Sequence, residues 1–199
     1  MKHRLAPVGI VALLCICTAA AQHDGVSPHA GKQSREIAAL DDSTLEAIRK
    51  GTGWGLAMPA EIRGAPGPRH VLDLAEPLGL GQEQVAKVTA VFEEMRRSAI
   101  SKGEKFIGAE RALEDFFQRS DLDQTHLAAL VGEAGQARAD LRLVHLSAHL
   151  KTLSVLSAEQ VERYAELRGY TGGASDPCSQ IPAGHDPVMW KQHNGCNET

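Results

Sequence analysis

Two histidines four residues apart, His145 and His149, are the residues of this chain best placed to do chemistry. On a helix that spacing brings both rings out on one face. Neutral imidazole nitrogens so arranged form a chelate for zinc, nickel, cobalt or copper. A third donor would have to come from elsewhere. If the chain doubles back near Ser120, His145 faces Glu94 and Met95, and His149 faces Val91. The carboxylate of Glu94 (or Glu93) would then be the third ligand, with the Met95 thioether a softer choice. His70, in a helix preceding the hairpin, can fold onto the same end. Two solvated histidines on a helix face are the plain alternative.

A second group lies near the C-terminus: Cys178, His185, Met189, His193 and Cys196. Pro187 discourages a helix there, so the four-residue steps of His185, Met189 and His193 do not define one face. Cys178 and Cys196 read first as a disulfide if the compartment is oxidising, and metal binding by the same cluster is the alternative. A bridge closing a loop of this size would contribute about 3 kcal/mol in the chain-entropy account. Glu110 falls on an apolar stripe between Phe106 and Leu113 and calls for a partner, with Arg138 and Arg142 as candidates. Trp54 and Met58, in a glycine-rich loop, read as pins holding that loop to the bundle. There is no glycine-framed nucleophile, no phosphate loop and no His-Glu-x-x-His, and the residues following each histidine supply no general base. The reading is of a binding protein and not an enzyme.

The elements that would position these residues are helices. From Gly81 to about Gln118, Val85, Val88, Phe92, Met95, Ala99, Phe106, Leu113 and Phe117 mark an apolar stripe at three- and four-residue steps. Gly103 and Gly108 interrupt it and predict a bend. Arg119-Ser120-Asp121 is the expected turn, with Ser120 or Asp121 capping a second long helix from about Leu122 to Leu156. A last helix is predicted over Ala158 to Arg168, stopping at Gly169. Upstream, Ser43 is expected to cap a short helix from Thr44 to Lys50, a brief helix is placed at Pro59 to Arg63, and Pro68 suits the first turn of another. No strand alternation is found. The expected fold is all-α, a long antiparallel hairpin with short flanking helices in a hooked, cradle-like arrangement. Unburied stripes on such a hairpin make a homodimer the natural expectation.

The N-terminus reads as an export signal over residues 1–21. Lys2 and Arg4 precede an apolar run from Val8 to Cys17, and Ala19-Ala20-Ala21 offers a cleavage site. The run is short for a membrane span, which makes an uncleaved anchor the second choice. Leu14 and Ile16, just before Cys15 and Cys17, are too large for lipoprotein processing. Cleavage would place the chain in the periplasm. Lys2 and Arg4 come off a total of 21 basic residues and nothing comes off 25 acidic ones, so the mature chain is acidic. That argues against a nucleic-acid partner. Residues 22–67 read as a flexible, loop-rich segment with a short helix, 68–170 as the helical domain and 171–199 as an irregular tail.

The long helices are each opened or closed by the same six-residue phrase. Leu80-Gly81-Gln82-Glu83-Gln84-Val85 and Leu156-Ser157-Ala158-Glu159-Gln160-Val161 are both Leu-x-x-Glu-Gln-Val. In the second, Ser157 and Gln160 fit a capping box, and Gly81 with Gln84 is a weaker version. With these motifs residues 68–170 resemble the periplasmic LTxxQ-motif family, which includes Spy/CpxP-like chaperones and heavy-metal sensor proteins. Gly81 stands where that family usually has Thr or Ser. The resemblance implies a hooked helical hairpin that dimerises, and it implies two functions. The chaperone branch implies a concave face that holds unfolded clients, or regulation of an envelope-stress kinase. The nickel- and cobalt-resistance branch carries Val-His with Met four residues on; Val144-His145 is similar, and His149 stands in place of the Met. His70 before Pro77-Leu78 resembles that branch's upstream histidine helix, with Leu74 where its second histidine would be, and Glu94 or Glu93 would supply its glutamate. The reading adopted is a metal sensor or buffer signalling to an envelope partner, with the client-holding chaperone as the alternative.

Overall fold

A computed structural model describes residues 25–171. The export signal, Cys178, Cys196 and the other tail donors lie outside them. Two compact units divide the chain after Gln33. In the first, Ala30 and Lys32 donate amides to the carbonyls of Ser27 and His29 at 2.9 and 3.0 Å. The second holds six α-helices: α1 (Asp42–Lys50), α2 (Met58–Glu61), α3 (Pro68–Asp73), α4 (Gln82–Phe116), α5 (Gln124–Leu153) and α6 (Ala158–Leu167). The fold is all-α, and α4 and α5 form the long antiparallel pair on which the shorter helices are laid. No described helix is long and apolar enough to cross a membrane.

The hairpin register follows the sequence expectation. Lys102 Nζ meets Asp140 at 2.7 Å and Lys151 Nζ meets Glu94 at 2.9 Å across the two arms. The caps differ in detail. Asp123, and not Ser120 or Asp121, caps α5 by accepting the His126 amide at 2.8 Å, which leaves 117–123 as the connection. Likewise Asp41, not Ser43, caps α1. Its carboxylate accepts the Thr44 amide and the Ser43 hydroxyl, both at 2.7 Å. In both places an aspartate two or three residues away from the expected cap accepts the N3 amide of the helix.

The long helix α4 is unbroken through Gly103 and Gly108. Gly103 serves packing: a Cβ there would lie 2.5 Å from Ile48 Cγ2 and 3.1 Å from Ile48 O, so α1 rests directly on the backbone of α4. The main core lies around this contact. Ile37, Leu45, Ile48 and Leu56 are buried with Ala99, Phe106, Ile107 and Leu141, and Trp54 stacks on Phe106 with ring centroids 6.3 Å apart. Half of these eight buried residues come from the segment read from sequence as loop-rich and flexible. Its many glycines and prolines shape a close-fitting chain path that turns Ile37, Leu45, Ile48 and Leu56 inward, while Met58 and Ile62 stay exposed.

A second, smaller core of Val71, Leu78, Val88 and Tyr164 closes the open end of the hairpin, and it explains the repeated phrase. Leu80 and Leu156 both pack against it. Gln84 Nε2 donates to Gln160 Oε1 at 2.8 Å, and Gln160 Nε2 donates back to Gln84 Oε1 at 3.1 Å. Each amide also serves its own helix start: Gly81 N–H donates to Gln84 Oε1 at 3.2 Å and Ser157 N–H to Gln160 Oε1 at 3.0 Å. Gln84 Nε2 further reaches Val155 O at 3.0 Å. The two motifs are halves of one clasp that ties the beginnings of α4 and α6.

Two outcomes are expected. Gln84→Leu or Gln160→Leu strands the partner amide and should lower stability by about 1–3 kcal/mol in urea unfolding; an unchanged midpoint would mean the clasp carries no net energy. Gly103→Val should cost at least as much, about 2 kcal/mol or more, through overpacking against Ile48.

Candidate functional site

His145 and His149 come from the last third of α5, where the helix face turns inward. Their residues are 4% and 8% exposed, so neither ring lies in bulk water. Both line a cleft of about 870 Å³, together with Phe92 and Met95 of α4, the loop at Gly51–Gly55, and Glu61 and His70. The loop presses close. A Cβ at Gly53 would stand 3.4 Å from His145 Nδ1, and one at Gly67 would stand 2.9 Å from His149 Cε1. Glycine at 67 is therefore required by the ring that lies against it, although its backbone is extended.

The two histidines differ in their partners. His149 Nδ1 lies 2.7 Å from Ala65 O, and a carbonyl only accepts, so the ring carries a proton on Nδ1. His145 Nε2 is buried without a hydrogen-bond partner among the described residues. Burial first, and the nearby charge of His149 second, hold the His145 ring below its ordinary value of 6.5, so it is neutral at neutral pH. A buried imidazole nitrogen without a partner is an uncommon expense in a folded chain, and it marks a position where a ligand would be welcome.

An acid does stand by these rings, and it is Glu61 at the end of α2. Its Oε2 accepts the Gly67 amide at 3.1 Å and lies 3.8 Å from His149 Nδ1. Its Oε1 accepts from His70 Nδ1 at 3.2 Å, from Tyr170 OH at 3.3 Å and, at closer range, from Tyr164 OH; Arg168 Nε stands 3.5 Å away. Burial alone would raise the Glu61 carboxyl, but hydrogen bonds from His70 and Tyr164, the charge of His70 and the Gly67 amide outweigh it and hold the group at about 2. Burial and the same carboxylate push the Tyr164 hydroxyl up. Glu61 is thus a well-partnered anion, crowded at Oε1, that joins α2, α3, α5 and α6.

The sequence-predicted residues are divided by this arrangement. His70, His145 and His149 share the cleft. Glu94 does not join them: its carboxylate is held by Lys151, and it lines a separate groove with Val91, Lys102, Asp140 and Leu143. The register was right but the lysine two residues past the second histidine captures the acid. Glu93 is absent from the cleft lining as well, while Met95 lines both cleft and groove. Glu110 is half-buried and its carboxyl is raised, by burial first, with Arg138 opposing. Among the described residues no three His, Cys, Asp or Glu side chains converge into a closed metal cage. Glu61 was missed because it sits between helix breakers, away from any periodic stripe. A signal was present all the same: the chain has two tyrosines, both close to the second motif, and both point to this one carboxylate.

No family model matches the chain, and no curated protein or solved structure does either.

Glu61 depressed from 4.5 contributes stability that is complete above pH 4.5 and is lost as pH falls toward 2. His145, depressed from 6.5, adds a separate loss on acidification below 6.5, because only the unfolded chain takes up that proton readily. Glu61→Gln should therefore lower stability at pH 7 by about 3 kcal/mol and abolish the difference from wild type by pH 2. Denaturant unfolding across pH 2–7 checks both; a constant difference at all pH values would show that Glu61 is not the charged anchor.

Proposed function

We propose that this chain is an exported helical protein that binds a transition-metal ion in the cleft at the inner face of α5 and acts as a sensor or buffer for that metal. The observation that carries the reading is the pair of neighbouring imidazoles on one face of α5, each able to offer Nε2 to a metal. His145 Nε2 has no partner, and His149 is oriented by donating its Nδ1 proton to a backbone carbonyl. That outer contact is the usual way a protein fixes a metal-ligating histidine. Depression of the His145 proton affinity keeps the ring in the form that binds metal.

Glu61 takes the role of outer support in this reading. It holds the loop carrying Ala65 and Gly67 against His149 and connects that loop to Tyr164, Arg168 and Tyr170 at the far end of the fold. A metal drawing His145 and His149 together moves a ring on which this loop rests. The displacement then reaches α6 through one carboxylate, which gives an envelope partner something to read. A homodimer is part of the proposal, since Leu143 and Leu150 lie on one face of α5 and are 63% and 65% exposed.

The same exposed leucines favour a second reading, a chaperone holding unfolded clients without ATP. The two separate by measurement. His145→Gln should weaken binding of zinc, nickel, cobalt or copper by about tenfold or more in calorimetry, with the thermal midpoint tracked to confirm folding. Unchanged affinity rejects the site. The metal-free protein suppressing aggregation of an unrelated unfolded client at near-stoichiometric amounts, with suppression lost in Leu143→Glu, would favour the chaperone.

A further inference from the structure

A second groove, of about 520 Å³, adjoins the histidine cleft along α2 and shares Met58 and Ile62 with it. Its charged lining is entirely cationic: Arg63, just past the end of α2, and Arg138 and Arg142 on α5. No acidic residue lines it, although the chain as a whole carries a net charge of -4. None of the three guanidiniums makes an ion pair among the described residues. The Glu110 carboxyl feels the charge of Arg138 but lies outside the lining. The rest of the groove is apolar. Trp54, Leu56 and Pro59 line it, and Met58 and Ile62 are 58% and 51% exposed. We infer that this groove binds one anionic phospholipid, with its phosphate on Arg63, Arg138 and Arg142 and its acyl chains against Met58 and Ile62.

Charge is the first argument. Arg138 and Arg142 stand four residues apart on an unbroken helix, so two like charges share one face and repel. Arg63 brings a third from another element to the same groove. An anion placed among them relieves that repulsion, and the local reversal of sign draws anions to this part of an acidic molecule. The residue type is the second argument. All three cations are arginine, whose planar fork grips the oxygens of a phosphate in pairs where lysine offers only a point charge. The apolar lining decides the rest of the ligand. Large apolar side chains left in water beside such a charge mark a surface with a partner that is itself amphiphilic. A bare phosphate would leave Met58 and Ile62 wet, and an uncharged chain would leave the arginines unanswered. A phospholipid answers both, and one with a cationic headgroup would be repelled. The inference stands apart from the metal reading, since neither His145 nor His149 lines this groove.

The test titrates the full chain in a calorimeter with dihexanoyl phosphatidylglycerol, kept below its micelle concentration. Dihexanoyl phosphatidylcholine and glycerol 3-phosphate should each bind at least about tenfold more weakly than this lipid. Arg142→Gln should weaken phosphatidylglycerol binding by about tenfold or more. Its thermal midpoint should not fall, because the change removes a like-charge contact. Lys105→Gln takes the same charge from an exposed position of α4 outside the groove, and should alter affinity less than about twofold. Ile62→Ser should weaken the lipid by about threefold or more while leaving glycerol 3-phosphate unaffected. Equal lipid affinity in wild type and Arg142→Gln overturns the assignment. So does an equal loss in Lys105→Gln, which would mean that diffuse charge and not the groove attracts the lipid. Glycerol 3-phosphate binding as tightly as the lipid, or no binding of the lipid at all, overturns it as well.

Discussion

A single carboxylate deep among short helices is the constraint on which this molecule turns. Glu61 sits where α2 ends, too far from bulk water to be solvated freely, and a buried anion without partners would oppose folding strongly. The chain answers from four directions: a backbone amide at Gly67, a ring at His70, two phenols at Tyr164 and Tyr170, and the Arg168 guanidinium. Because these come from widely separated stretches, none can settle without the others. The loop carrying Ala65 and Gly67 is then fixed against His149, and the orientation of that ring follows. The cleft exists because the anchor beneath it is complete.

The long hairpin was legible in the sequence because its signals are periodic and one turn fixes which residues meet. Apolar residues at three- and four-residue steps gave α4 and α5 nearly to their ends, and register followed from the turn. Caps were less legible because several neighbouring acceptors compete for each helix start, and geometry at Asp41 and Asp123 decides between them. The segment before α3 was the least legible. Its glycines and prolines look like punctuation, yet they route Ile37, Leu45, Ile48 and Leu56 into the main core with few side chains of their own. Periodicity carries no trace of such packing.

For the candidate site, sequence spacing found the histidine pair and its facing helix, and missed the acid. Helical spacing brings His145 and His149 together without help from tertiary structure. Glu94 faces them in register, but register says nothing of competition, and Lys151 holds that carboxylate at 2.9 Å. The role of Glu61 depends on residues more than one hundred positions away, at Tyr164 and Tyr170. A sequence read locally has no means of weighing such a meeting.

The clasp between Gln84 and Gln160 has a consequence of its own. Carboxamides neither gain nor lose a proton over any range a protein meets, so this knot at the bundle's foot is indifferent to acidity. The ionic knot at Glu61 is not. Acid should therefore undo the molecule in order, freeing the short helices around the cleft while the roots of α4 and α6 stay bound to one another.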